Sequence, residues 1–439
     1  MFHKNRIKMA CLSGFIGLLG CLSVVGCASS TSAESNDELS NYDVDINTSV
    51  IVNESDLNAA ITYKDEIIEI EAPSARITGQ TSFKPAATSF TLKLVAEVPS
   101  PVIDGNTVQA TSIVLKKDLA YISYNTAGAV FSGALDIVDI SKPNKPQIKS
   151  RTLFKNMDIN DVFYRGKNVY LAQALDSGVS GKNSRISKLP IKSNAPDFDN
   201  EIASLINSFA GTSVYAYKDN LYVTSGSTGG LYEFNNNTLS EIQFTSIADA
   251  RWVSGKGGKI FTLSGGTNQG VKILTYSTAG SSQDASFSIT GAATAESKSV
   301  IEGSSRYGFV AGNEDGVSVY KLSTGARVQH LPLPTITDPD ITAASNSVTI
   351  YKDLLFISNG EAGIYVAQNT TPLTSVSADT DMALTVVGKL SFGSTISVNH
   401  VSYKGTHLFV AAGLGGVKIL TVSNAADKGE EDDDDEEDD

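Results

Sequence analysis

Seven times along this chain, two runs of alternating apolar residues meet at a glycine-containing turn. The clearest copies are LFISNGEAGIYVAQ (355–368) and LFVAAGLGGVKILTV (408–422), each with two glycines three residues apart. The others are LAYISYNTAG with ALDIVDIS (119–141), VYLAQALDSG (169–178), LYVTSGSTGGLYEF (221–234), IFTLSGGTNQGVKILTY (260–276) and YGFVAGNEDGVSVYKL (307–322). Aligned on one aromatic, they place Tyr121, Tyr170, Tyr222, Phe261, Phe309, Phe356 and Phe409 at spacings of 49, 52, 39, 48, 47 and 53 residues. Alternation with period two on both sides of a turn is the pattern of a β-hairpin. A fixed period of this length belongs to a repeat architecture.

A third alternating run precedes most hairpins, as in SVTIYKD (347–353) and VNHVSYKG (398–405), and a fourth follows, as in QIKSRTLF (147–154) and TVVGKLSF (385–392). Four short antiparallel strands per repeat describe a β-propeller blade, whereas a sandwich or solenoid predicts no repeat or a much shorter one. The last repeat ends at Val422 with only three strands, and FTLKLVAEVPSP (90–101) stands before the first repeat as a spare. The sequence therefore predicts an all-β, seven-bladed propeller of four-stranded antiparallel blades, its ring closed by an N-terminal strand that completes the last blade. The polar stretch 176–200 reads as a loop projecting from one face.

The net charge of −14 is confined to the ends: residues 27–80 carry −9 and residues 430–439, EEDDDDEEDD, carry −10. The body between 81 and 429 sits near +2. With no basic stripe to displace counterions, a nucleic-acid partner is not expected. The three cysteines, Cys11, Cys21 and Cys27, all precede residue 28, so the body has no disulfide framework and no cysteine zinc site.

Residues 1–26 open with Lys4, Arg6 and Lys8 and continue as a short apolar and small-residue run, the layout of a secretory signal. The run ends Val24-Val25-Gly26-Cys27, which resembles the lipobox of bacterial lipoproteins. That resemblance implies cleavage before Cys27, a diacylglycerol thioether on its sulfur and an acyl chain, of the palmitate type, on its amine. Ala28 after the cysteine implies sorting to the outer membrane, on either leaflet. The domain reading is a signal peptide (1–26), a lipidated polar tether with at most one small structured element (27–82), the propeller (83–428) and a disordered acidic tail (429–439).

Within the body, LDIVDISKPNKPQIKS (135–150) and DINDVFYRGKNVYLA (158–172) resemble the LVIVD repeat of exported bacterial propellers. The resemblance covers roughly residues 110–172 and implies fold and location but no ligand.

Catalytic patterns are absent: there is no His-x-x-x-His helix, no Gly-x-Ser-x-Gly elbow, no sialidase Ser-x-Asp box, and Trp252 is the only tryptophan. NEDG (313–316) has calcium-like letters but lacks the later glutamate of a calcium loop and reads as a tight turn. No cofactor or metal is expected. Aligning the innermost strands gives one polar ring: Ser112, Asn160, Ser213, Arg251, Ser299, Ser347 and Asn399. It reads either as small polar residues where strands crowd the axis, or as a channel site in which Arg251, Asn160, Asn399 and nearby Asp161 hold an anionic group. The functional expectation is a membrane-anchored, non-catalytic binding or scaffold lipoprotein, tethered through Cys27 and presenting a propeller face to a protein or polysaccharide partner. The alternative is a channel-mouth lyase or hydrolase acting on a glycan with carboxylate and tyrosine catalysts.

Overall fold

In the computed structural model, the described residues are 47–68, 70 and 90–424, apart from 129, 180, 181, 293, 295–297, 334, 335 and 337. The signal segment, Cys27 and the acidic tail lie outside them. The alternating runs pair into seven small antiparallel sheets, numbered here as blades 1 to 7 in chain order. Their innermost strands begin at Gln109, Met157, Ser213, Ala250, Ile301, Ser347 and His400.

What holds neighbouring blades together is the repeated aromatic. The buried apolar side chains among the described residues form seven clusters, one in each seam between adjacent blades. Tyr121, Tyr170, Tyr222, Phe261, Phe309, Phe356 and Phe409 are each at most 1% exposed, and each belongs to the seam between its own blade and the next. Phe356 packs with Leu92, Val401 and Leu408 of blade 7. Tyr121 lies against Tyr164 of blade 2 with ring centroids 4.6 Å apart.

The paired glycines of the repeat have a steric cause. Gly360 and Gly363 have φ of 59° and 83°, and Gly413 and Gly416 have 53° and 72°, a left-handed region that side chains disfavour. Space is short as well. A Cβ on Gly363 would lie 2.2 Å from the Leu390 carbonyl, and one on Gly416 would lie 2.1 Å from that of Val98. The turn thus presses against the end of the fourth strand of its own blade. In NEDG, Asn313 takes the left-handed position with φ of 47° and exchanges backbone bonds with Ser345 of the blade 6 approach, so the motif is a tight turn.

The N-terminal part of the described chain forms strands β1 (Thr48–Ile51), β2 (Thr62–Ile68) and β3 (Phe90–Val98), with a short helix α1 (Glu54–Ala59) after β1. As predicted, β3 completes blade 7, in register from Phe90 opposite Asn424 to Val98 opposite Val417. Residues 48–68, which the sequence leaves inside the tether, are instead built onto the ring. β1 adds a fifth strand to blade 1, with Ile51 opposite Arg151, and β2 adds one to blade 7 alongside β3. Between them Leu57 and Ile61 sink into the seam of blades 7 and 1. Asn58 clamps strand Gln147–Phe154 by accepting the Ile148 N–H at 2.7 Å. The same seam holds a buried ion pair: Asp136 of the LDIVD segment accepts Arg151 through both oxygens at 2.7 and 2.6 Å, and Arg151 also reaches the Pro99 carbonyl.

Stretch 176–200 also departs from expectation. It is not a loop: strands Asn168–Val179 and Lys182–Lys192 continue as one long hairpin of blade 2, with Val179 paired to Lys182 at its tip. Strand Lys182–Lys192 packs on both faces, with Ile186 in the seam toward blade 3 and Leu189 in the seam toward blade 1, while Ser184 and Ser187 are buried too and give the run the composition of a loop.

Candidate functional site

The innermost strands surround a channel that is blocked part-way. Trp252 of blade 4 and His400 of blade 7 stand on non-neighbouring blades, yet their rings lie 5.8 Å apart, so their contact spans the channel. Lys298, which leads into blade 5, crosses too. Its Nζ donates to the Thr111 carbonyl of blade 1 at 3.0 Å and to the Asn160 carbonyl of blade 2 at 3.5 Å. The same ammonium lies 4.9 Å from the Trp252 ring, within cation–π range. Outside this floor, one mouth of the channel opens as a cavity of about 760 Å³ lined mainly by residues of polar and charged type.

The wall residues are first of all a belt. Each blade passes a hydrogen bond to the next: Thr111 Oγ1 to the Ile159 carbonyl, Asn160 Nδ2 to Gly211, Thr212 Oγ1 to Ala250. Arg251 Nη1 bonds Asn313 Oδ1 at 3.0 Å, and Asn313 Nδ2 continues to Ser345. Asn346 Nδ2 then reaches Val398, and Asn399 Nδ2 reaches Ala110 of blade 1, where the circle closes. Only blade 5 delegates its bond to a turn residue, Asn313, and there the wall position is Lys298. Such bonds answer backbone carbonyls left unpaired where seven strands converge.

Of the predicted channel residues, Asn160, Arg251 and Asn399 do come together in the cavity wall. Asp161 does not reach the wall. It lies 2% exposed beneath it, with Oδ2 accepting from Ser213 Oγ at 2.8 Å and from the Val214 N–H at 3.1 Å. Its other oxygen has no hydrogen-bond partner. The expected ring is also displaced in four blades: Thr111, Thr212, Lys298 and Asn346 line the cavity where Ser112, Ser213, Ser299 and Ser347 were expected. Those serines are fully buried; three are hydrogen-bonded in the seams and Ser112 Oγ has no partner. The cause is one of register. Counted back from the seam aromatic, Thr111, Asn160, Thr212, Arg251, Asn346 and Asn399 all stand ten residues upstream, whereas Ser112, Ser213 and Ser347 stand nine, so the expected ring mixes two registers of the strand. In blade 5 the wall position, Lys298, stands eleven residues before Phe309, one further back than in the other blades.

The charges in the wall are unequal in what holds them. Arg251 donates to Asp249 Oδ2 through Nε and Nη2 at 3.1 and 2.8 Å, so its guanidinium already has a carboxylate. Glu361 accepts the Thr342 N–H at 2.7 Å. Lys298 has two backbone carbonyls and an aromatic face, and no carboxylate of the described residues in contact. Burial pushes its pKa down to about 8, opposed by the Asp161 charge acting without contact. His400 beneath it is held well below the ordinary imidazole range, first by burial and then by Lys298, and is neutral. Lys298 was missed because its role depends on reach across the axis, which no repeat alignment conveys.

The rim of the same mouth is apolar along one arc. Val102, Val130, Phe209 and Leu414 are 54–60% exposed. Each belongs to a turn or connection that also contributes to the cavity or bonds its wall, through Gln109, Ala127, Thr212 and Gly413 respectively. Phe131 and Phe209 meet edge to face at 6.2 Å, bridging the loops of blades 1 and 2. The long blade 2 hairpin ends on this face as well, because its tip is the equivalent of the turns that carry Ala127 and Gly360.

No family model matches the chain, and no curated protein matches it in sequence. Solved structures do. U3-55K aligns over 77% of this chain and 100% of its own, at 10% identity and a TM-score of 0.52. The WD40 repeats of RRP9 align over 81% and 100%, at 10% identity and 0.51. A catalytically inactive virginiamycin B lyase from Staphylococcus aureus, solved with quinupristin, aligns over 76% and 99%, at 10% identity and 0.52. Identity this low speaks to fold alone, and the fold is that of a β-propeller.

Proposed function

We propose that this protein is a membrane-anchored, non-catalytic binding or scaffold protein of the LVIVD-repeat type, which meets its partner on the face where the channel opens. One observation carries the reading: the polar cavity, the exposed apolar arc and the tip of the long hairpin share a single face. An apolar patch beside a polar pocket is the usual make-up of a contact surface. The glycan-cleaving alternative would need carboxylates and tyrosines converging at the mouth. Among the described wall residues the carboxylates are Asp249 and Glu361, each already engaged, and no tyrosine is present. The anchor is proposed at Cys27, in the outer membrane, with the acidic tail as a solubilising end.

The test is photo-crosslinking in intact cells, with the crosslinker placed at Phe209 or Leu414 on the cavity face and at Lys167 on the opposite turns. Capture of one stoichiometric partner from the cavity face alone is expected. Capture only from Lys167 would overturn the assignment of the face. In parallel, Cys27→Ala should release the protein to the soluble fraction, and retention in the membrane would exclude the anchor.

A further inference from the structure

We infer that the cavity is a receptor for a carboxylate carried next to an apolar group, with the Lys298 ammonium as its charge partner and the Phe131–Phe209 arc as its apolar support. The inference rests on the cavity face being the working face.

Two features lead there. The first is the state of the two cations in the wall. Arg251 is engaged by Asp249 and Asn313 and forms part of the inter-blade belt. Lys298 is not a belt residue. An ammonium carries three donors, and two carbonyls take two of them. Among the described residues no acceptor takes the third, and an anionic ligand would make the stronger, charge-assisted bond there. Among the described residues, the titratable and charged groups facing Lys298 are Asp161, which lies beneath it without contact, and His400, which is neutral on the floor. Asp249 and Arg251 neutralise each other on the wall, and Glu361 is turned to the Thr342 backbone.

The second feature is position. Lys298 belongs to blade 5, but by crossing the axis it delivers its charge to the carbonyls of blades 1 and 2. Those are the blades whose loops carry Val130, Phe131 and Phe209. Positive charge and exposed apolar surface are thereby brought to one side of the mouth, although they start on opposite sides of the ring. A chain end or side chain that bears both a carboxylate and an apolar group matches this pairing. A plain sugar acid matches only half of it.

The experiment is calorimetric titration of the full-length protein with N-acetylphenylalanine, its carboxamide, and galacturonate. The acid should bind, and the carboxamide should bind at least about tenfold more weakly. Galacturonate should be weak, and Phe209→Ser should weaken only the aromatic acid. Lys298→Met should abolish binding of the acid while the melting temperature is kept. If that variant does not fold, the wild type decides: affinity for the acid should fall above about pH 8 as the ammonium loses its proton. Equal binding of acid and amide, no binding of either, or a pH-independent affinity would overturn the inference. Galacturonate binding as tightly as the aromatic acid, with no effect of Phe209→Ser, would overturn its apolar half. None of these results bears on which face is crosslinked in cells, so the two readings fail separately.

Discussion

His407 ties the last blade to the first through a neutral imidazole. Its Nε2 lies 3.0 Å from Asn144 Oδ1 and its Nδ1 lies 3.1 Å from Thr406 Oγ1. Asn144 can only accept there, so the proton sits on Nε2, and Nδ1 accepts from the threonine. Burial lowers the pKa to about 4. The unfolded chain takes up a proton near pH 6.5, before the folded one does. Stability from this group is therefore complete above that pH and is lost as pH falls toward 4. We expect melts of the wild type to lose roughly 2 kcal/mol more than those of His407→Gln between pH 7 and pH 4.5. Parallel curves would show that His407 is not the titrating group. At this scale the site is unevenly legible in the sequence. Asn160, Arg251 and Asn399 were visible as polar breaks in apolar strands. Lys298 was not, because a lysine before a strand looks like any solvated surface lysine until its reach is known.

The blade hairpin is the element that repeats, and its aromatic does one job seven times. Phe356 is fully buried among residues of blades 6 and 7, so Phe356→Ala should lower stability by about 3–5 kcal/mol. Chemical denaturation would measure this, and a loss below about 1 kcal/mol would mean that the seam closes over the gap. The aromatics, the glycine turns and the count of blades were legible because each is enforced by the same contact in every repeat. Elements that answer to distant partners were not. β1 pairs with residues about a hundred positions on, and β2 pairs across residues 69–89. In the sequence both look like short apolar patches in a polar stretch. The blade 2 hairpin is hidden for a different reason: Ser184, Arg185 and Ser187 are buried polar residues, so a strand packed on both faces has the composition of a loop.

Closure of the whole ring depends on the seam between blades 7 and 1, the one place where the circle is made by segments far apart in the chain. β3 supplies the primary closure, and the segment of β1, α1 and β2 lies over the same seam from outside. Removing residues 47–68 should leave a folded propeller with a lower melting temperature, in which protease cleavage begins near residues 90–98. Unchanged melting and cleavage would make the segment an ornament. The order of attachment has a mechanical side. A pull on the N-terminus arrives first at β1, which is bonded along its length to blade 1, and then at β2 on blade 7. Tension is divided between the two blades that flank the join before any of it reaches the closing strand. The outer segment works as a buckle on a belt: the ring cannot be peeled open from its N-terminal end until the buckle has been stripped.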